Sequence, residues 1–121
     1  MKVIIDLIED IRSAINNDPS FSLAAMQLTE NSEGEFTPAG QSNIYRYSID
    51  DQHKKLYFFL AQEPALNVGS VLETLNALSN EAMMYEVCVS YAKGQQRIDQ
   101  PLIGFGESLQ DKQYLLFISA Q

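Results

Sequence analysis

Catalysis in a small protein rests on histidine, cysteine, clustered carboxylates or a glycine-rich loop. This sequence holds one histidine, His53, and one cysteine, Cys88. His53 follows Asp50, Asp51 and Gln52, a run with the composition of a turn. A turn histidine acts as a general base only with an acid held against it, and turn formation alone accounts for both aspartates. Cys88 lies in an alternating segment, where a lone cysteine reads as a small apolar residue. Activation of its thiol needs a cation beside it, and Lys93 and Arg97 are close only in sequence. One His and one Cys cannot build a structural zinc site. Glu30, Glu33 and Glu35 around Gly34 lack the aspartate spacing and closing glutamate of a calcium loop. Gly104-Phe105-Gly106 lacks the lysine and following helix of a phosphate loop, and reads as a bend or bulge beside Pro101. Sixteen acidic residues always contain some pair that a glycosidase could use, so their number alone identifies no site. The expectation is a chain with no catalytic residue, metal or cofactor, the alternative being a small enzyme with an unrecognised carboxylate site.

Charge is the more informative property. Sixteen Asp and Glu stand against eight Lys and Arg, a formal net charge of -8 with a pI near 4.4. Residues 1–50 carry eight acids and three bases, and residues 51–121 eight acids and five bases, so both halves are negative. Such a surface repels phosphate backbones and anionic membranes and steers a basic protein toward itself. With 45% apolar residues, 20% charged residues and aromatics spread along its length, the chain is expected to fold as one domain over residues 1–121. Asp6, Glu9 and Asp10 interrupt the N-terminal apolar stretch, unlike a secretory signal. No apolar run approaches the roughly 20 residues that span a bilayer. A cytoplasmic location is therefore expected.

The elements that must position any site follow from periodicity. Ile4, Ile8, Ile11 and Ile15 mark one face of a helix over residues 3–16, ended by Asn16-Asn17-Asp18-Pro19. Residues 21–29 read as a strand, and residues 30–42 as a loop by composition. Tyr45, Tyr47 and Ile49 share one face of a strand over 43–49. Residues 50–53 turn into an apolar strand over 54–61, which Glu63-Pro64 stops. Ser70 and Glu73 have capping-box spacing, which starts a helix over about 70–80. Residues 85–91 alternate as a half-exposed strand, 93–96 turn, and 97–106 read either way. Residues 113–120, apolar on both faces, read as a central buried strand. The expected fold is α+β: an antiparallel sheet of five or six strands with two helices packed on it. Its order is α-β-β-β-α-β-β, with room for one further strand.

An acidic, non-catalytic α+β domain suits a protein-binding role. The expected function is that of an immunity or inhibitor protein neutralising a basic toxin such as a nuclease. Acids would meet the groups that bind phosphate, and aromatics would supply buried anchors. The candidate partner-binding residues are Glu30, Glu33 and Glu35 in the long loop, Asp50 and Asp51 in the turn, Glu86 on the half-exposed strand, and Tyr45 and Tyr47. The chain would act as a monomer or homodimer. The alternative is a secretion chaperone: over most of the chain, element order and low pI resemble class I type III secretion chaperones. That resemblance implies a dimer that binds an extended, partly unfolded segment. The family closes with another helix that helps form its dimer, whereas this sequence ends in an apolar strand, and no specific motif supports the resemblance.

Overall fold

The computed structural model describes residues 1–120. Helix α1 (Ile4–Ile15) forms where the isoleucine periodicity places it. Asp6 Oδ2 accepts the Val3 N–H at 2.9 Å and so caps its first turn. Asn16 ends it in the left-handed conformation at φ 53°. Ile4, Leu7, Ile11 and Ile15 are buried, each stabilising the fold by roughly 1.5–3 kcal/mol.

Seven strands follow: β1 (Ser22–Glu30), β2 (Phe36–Asp50), β3 (Lys55–Ala61), β4 (Glu86–Lys93), β5 (Gln96–Pro101), β6 (Gly104–Ser108) and β7 (Gln113–Ser119). Helix α2 (Val68–Leu75) and a single 3-10 turn (Ala82–Met84) connect β3 to β4. The strands form one sheet in the order β5-β4-β3-β2-β1-β7-β6. The expected antiparallel sheet of five or six strands is thus corrected to a mixed sheet of seven. β1 pairs with β7 in parallel, and β3 pairs with β4 in parallel. The second pairing follows from the α2 crossover, since adjacent parallel strands need a connection long enough to return to the same end.

Three local expectations are corrected as well. Residues 36–42, read as loop, form the first half of β2. Residues 97–106, which read either way, fall in two strands, β5 and β6, separated by Leu102 and Ile103. Helix α2 is capped by Asn67, whose side chain accepts the Ser70 N–H at 3.1 Å, so Ser70 lies inside the helix rather than at its cap. The glycines of β6 mark neither bend nor bulge. A Cβ on Gly106 would stand 2.4 Å from Phe117 Cζ, so the ring of Phe117 requires glycine there.

The short β5–β6 connection sets the shape. These are the two edge strands, and only two residues separate Pro101 from Gly104. Laid flat, seven strands would span about 29 Å from edge to edge, whereas three chain steps reach about 11 Å. The sheet therefore curls until its edges meet at that end. Gln100, 5% exposed, bridges the gap. Its Nε2 donates to the Ser119 carbonyl of β7 at 3.0 Å, and its Oε1 accepts the Tyr91 hydroxyl at 2.7 Å. Inside the curl lie α1, α2 and one face of the sheet, including Leu23, Ile44, Phe58, Val89, Tyr114 and Leu116. The opposite face of β2–β5 looks outward. Among the described residues, no helix is long and apolar enough to cross a membrane.

Gln100→Ala should lower the unfolding free energy by about 1–3 kcal/mol, because the Tyr91 hydroxyl loses its acceptor and the Ser119 carbonyl a donor. Urea denaturation checks this. An unchanged midpoint would show that Gln100 does not hold the edges together.

Candidate functional site

His53 and Cys88 lie in different surroundings, His53 beside a cavity that Asp50, Asp51 and Asp99 also line. His53 sits in the β2–β3 turn with its side chain 64% exposed, its Nδ1 2.7 Å from Asp50 Oδ2. Its backbone N–H also donates to Asp50 Oδ1 at 3.0 Å. These bonds, the backbone one first, hold the Asp50 carboxyl below its ordinary value. The pair closes a turn on the surface. Cys88 is buried at 2% exposure on β4. Burial first, and the Glu86 carboxylate second, push its thiol up to about 11, so at neutral pH it is a thiol and not a thiolate. Among the described residues, no three His, Cys, Asp or Glu side chains are placed to hold a metal ion.

The structure divides the expected partner-binding acids between the two ends of β2. Glu30, Glu33 and Glu35 lie at the tip of the β1–β2 hairpin. Asp50, Asp51 and Glu86 lie near the β2–β3 turn. The 15 residues of β2 separate the two groups, by about 46 Å along the strand. At the turn end the acids are engaged within the molecule. Asp50 binds His53, Asp51 Oδ1 accepts the Tyr85 hydroxyl at 2.8 Å, and Glu86 lies 3.7 Å from Lys55 Nζ. At the tip, Glu30, Glu33 and Glu35 form no ion pair among the described residues.

Residues 29–42 form an arm. Every one of them is exposed, yet the segment is an ordered ladder that pairs Glu30 with Phe36 and Leu28 with Pro38. β7 stops pairing with β1 at Leu28, and β3 stops pairing with β2 at Asn43. The arm thus projects past both neighbours. Phe36 stands 52% exposed beside the three glutamates. No Lys, Arg or His occurs between Arg12 and Arg46. Pro38, which lacks an N–H, and a bulge at Gln27/Leu28 interrupt its edge, features that discourage strand addition.

The two tyrosines part company. Tyr47 packs on the core and donates its hydroxyl to Thr74 Oγ1 at 2.7 Å. Its ring and hydroxyl are thus both engaged within the molecule. A bulge between Ile44 and Arg46 places Tyr45 beside Arg46 on the outer face. There the Arg46 guanidinium lies 4.1 Å from the Phe59 ring centre and 5.6 Å from that of Tyr45. Arg97 of β5 lies 5.3 Å from Phe59 and 4.7 Å from Tyr57. Three rings and two guanidinium groups thus form one alternating ladder across β2, β3 and β5, with arginines held flat by cation–π contact. Each arginine is fixed through Nε: Arg46 donates to the Tyr45 hydroxyl at 3.1 Å, and Arg97 to Ser90 Oγ at 2.8 Å and Asp99 Oδ1 at 2.9 Å. A shallow cavity of about 400 Å³ opens against this ladder. Tyr45, Arg46, Phe59, Ser90 and Arg97 are among its lining residues, and no carboxylate among the described residues lines it.

Arg46, Phe59, Arg97 and Phe36 escaped the sequence analysis. One of these contacts was within reach, because pairing Asp50 with Lys55 across the turn puts Arg46 opposite Phe59. Arg97 was not, since its approach depends on the parallel β3–β4 pairing. No protein family, no curated protein and no solved structure matches this chain.

At pH 8, a disulfide reagent should label Cys88 at roughly one-hundredth the rate of an exposed model thiol, given the smaller thiolate fraction. Labelling as fast as free cysteine would contradict its burial. In a carboxyl NMR titration, Asp50 should ionise below the ordinary aspartate value. His53→Ala should restore only part of that shift, because the backbone N–H, the largest single cause, remains. The bond contributes stability above the ordinary aspartate pKa, and that contribution is lost as pH falls through the lower folded value.

Proposed function

We propose that this chain is a non-catalytic, acidic protein-binding domain that neutralises a basic protein, with the β1–β2 arm as its contact element. A single observation carries the reading: an ordered two-stranded projection in which every residue from 29 to 42 is exposed. A hairpin with neither face covered is marginal by itself. A partner that covers it supplies the burial it lacks.

The arm's chemistry describes that partner. Glu30, Glu33 and Glu35 are unpaired, and the arm contains no cation to offset them. A cleft lined by Lys and Arg, such as a nuclease uses for phosphates, complements such a tip. Phe36 supplies the aromatic group that anchors an interface once water is excluded. Pro38 and the bulge favour insertion of side chains into a cleft over the addition of a strand to a sheet. An inhibitor of a basic toxin is the role that uses all of these features together.

Affinity capture from the native cell with the whole chain as bait should yield a basic protein. Its affinity should fall as salt rises, because the contact lies at an exposed tip. The triple reversal Glu30→Lys, Glu33→Lys, Glu35→Lys should abolish capture, and Phe36→Ala should weaken it by about 30-fold if it is a hot spot. A partner that the triple reversal leaves bound, or turnover of a small molecule with no protein partner, would sink the proposal.

A further inference from the structure

We infer that the Arg46–Phe59–Arg97 face is a docking surface for the acidic arm of a second copy of this chain, giving a two-fold dimer in which each arm lies on the other's arginines. This does not rest on the basic-partner reading.

The argument begins with charge. In a chain of net charge -8, the cavity lined by Arg46, Phe59 and Arg97 presents two guanidinium groups and no carboxylate among the described residues, while the adjoining cavity on the Tyr57 side of Arg97 is lined by Asp50, Asp51 and Asp99, so the incoming acid is directed to the Arg46 side. Asp99 balances part of Arg97, whereas Arg46 has no ion pair among the described residues. Stacking on rings fixes both arginines before any ligand arrives, which lowers the cost of ordering them on binding. The complementary group is a carboxylate, and a segment rich in unpaired carboxylates is present in the same chain, at the arm tip.

Distance excludes the chain's own tip. Glu35 precedes Arg46 by 11 positions, ten of which lie on the continuous strand β2, so the two stand about 36 Å apart along it. The tip points away from the cavity and cannot fold back without breaking the ladder. A second copy faces no such limit. If two β2 strands lie antiparallel about an axis between Gly40 and Gln41, Glu35, which immediately precedes the strand, comes opposite Arg46 of the other copy, since 35 and 46 are equidistant from 40.5, and Glu33 lies in the adjoining turn. Ala39 and Gly40 are the small, exposed residues that let two backbones approach beside that axis. Pro38 prevents a regular ladder there, so the contact is made by side chains. Because the arrangement is isologous, both Glu–Arg contacts form at once and the dimer closes. Glu63, beside the path of the incoming tip at the end of β3, is a like charge, so the pairing depends on Arg46 and Arg97 outweighing it.

Sedimentation velocity of the full chain across the micromolar range provides the test, with circular dichroism confirming that each variant folds. The wild type should dimerise. Arg46→Glu and Glu35→Arg should each raise the dissociation constant at least tenfold. Mixing these two variants should restore the dimer, because the mixed pair holds one original and one exchanged contact. A chain that stays monomeric throughout, a dimer that neither reversal weakens, or a mixture that fails to re-form the dimer would each overturn the inference. Arg46→Glu leaves the arm intact, so it should still capture a basic partner. Loss of the dimer with capture retained in Arg46→Glu therefore separates this inference from the basic-partner reading, which shares the arm.

Discussion

Leu102 and Ile103 impose the shape of this molecule. They join the two edge strands of a seven-stranded sheet, and chain geometry gives them no means of doing so unless the sheet curls. Once it curls, its two faces cease to be equivalent. The inner face encloses the core and must receive both helices, because an amphipathic helix needs an apolar surface to cover. The outer face of β2–β5 is left without a covering element. Gln100 sits at the closure with its amide satisfied on both sides, by Tyr91 and Ser119. A buried amide with both ends bonded specifies a geometry that an apolar residue of similar size could not. The arm is the part of the sheet that the curl cannot use, since it runs past the ends of both β3 and β7.

The outer face shows how an acidic protein keeps positive charge in place. Arginine lies flat on aromatic rings and is weakly hydrated, whereas the lysine ammonium is a strongly hydrated point charge. Tyr45, Phe59 and Tyr57 therefore hold Arg46 and Arg97 in a way that they would not hold two lysines. The bulge before Arg46 matters equally. In a regular strand Tyr45 and Tyr47 would share one face, and the extra residue sends Tyr45 outward to the ladder while Tyr47 stays inward on Phe58.

Where one face of an element is buried, its sequence revealed it. The isoleucines of α1 and the turn from Asp50 to Lys55 fall where periodicity and turn chemistry place them, whereas β4, read from its alternation as half-exposed, buries Cys88 and Ser90 as well as Val87 and Val89. The arm was read as loop because strand periodicity exists only when one face meets the core, and residues 36–42 meet none. The parallel pairings were hidden for another reason. β1 and β7 sit some 90 residues apart in sequence, and nothing local records which distant strand lies alongside. The apolar run in β7 did carry a trace of it, since strands buried on both faces are typical of parallel neighbours. Of the candidate site, the three arm glutamates were legible as unpaired acids. Their grouping at one end of a rigid ladder was not, and neither was the capture of Asp50, Asp51 and Glu86 by His53, Tyr85 and Lys55.

Net charge alone is therefore a poor guide to where this protein meets others. The two acidic ends of β2 stand about 46 Å apart, several times the screening length of about 8 Å at physiological salt. A partner at one end does not feel the other, and -8 is not a single field. The useful distinction is between carboxylates already bonded and those left free. A bonded carboxylate must break its bond to serve a partner, so it offers little net gain. A free one on an exposed tip loses only water and side-chain freedom. By that measure Asp50, Asp51 and Glu86 are bonded within the fold, and Glu30, Glu33 and Glu35 form no ion pair among the described residues. The same measure separates Arg97, shared with Ser90 and Asp99, from Arg46, whose bond to the neutral Tyr45 hydroxyl leaves its charge uncompensated. The uncompensated groups of both signs thus lie on one hairpin, the acids at the β1–β2 tip and Arg46 just past the midpoint of β2.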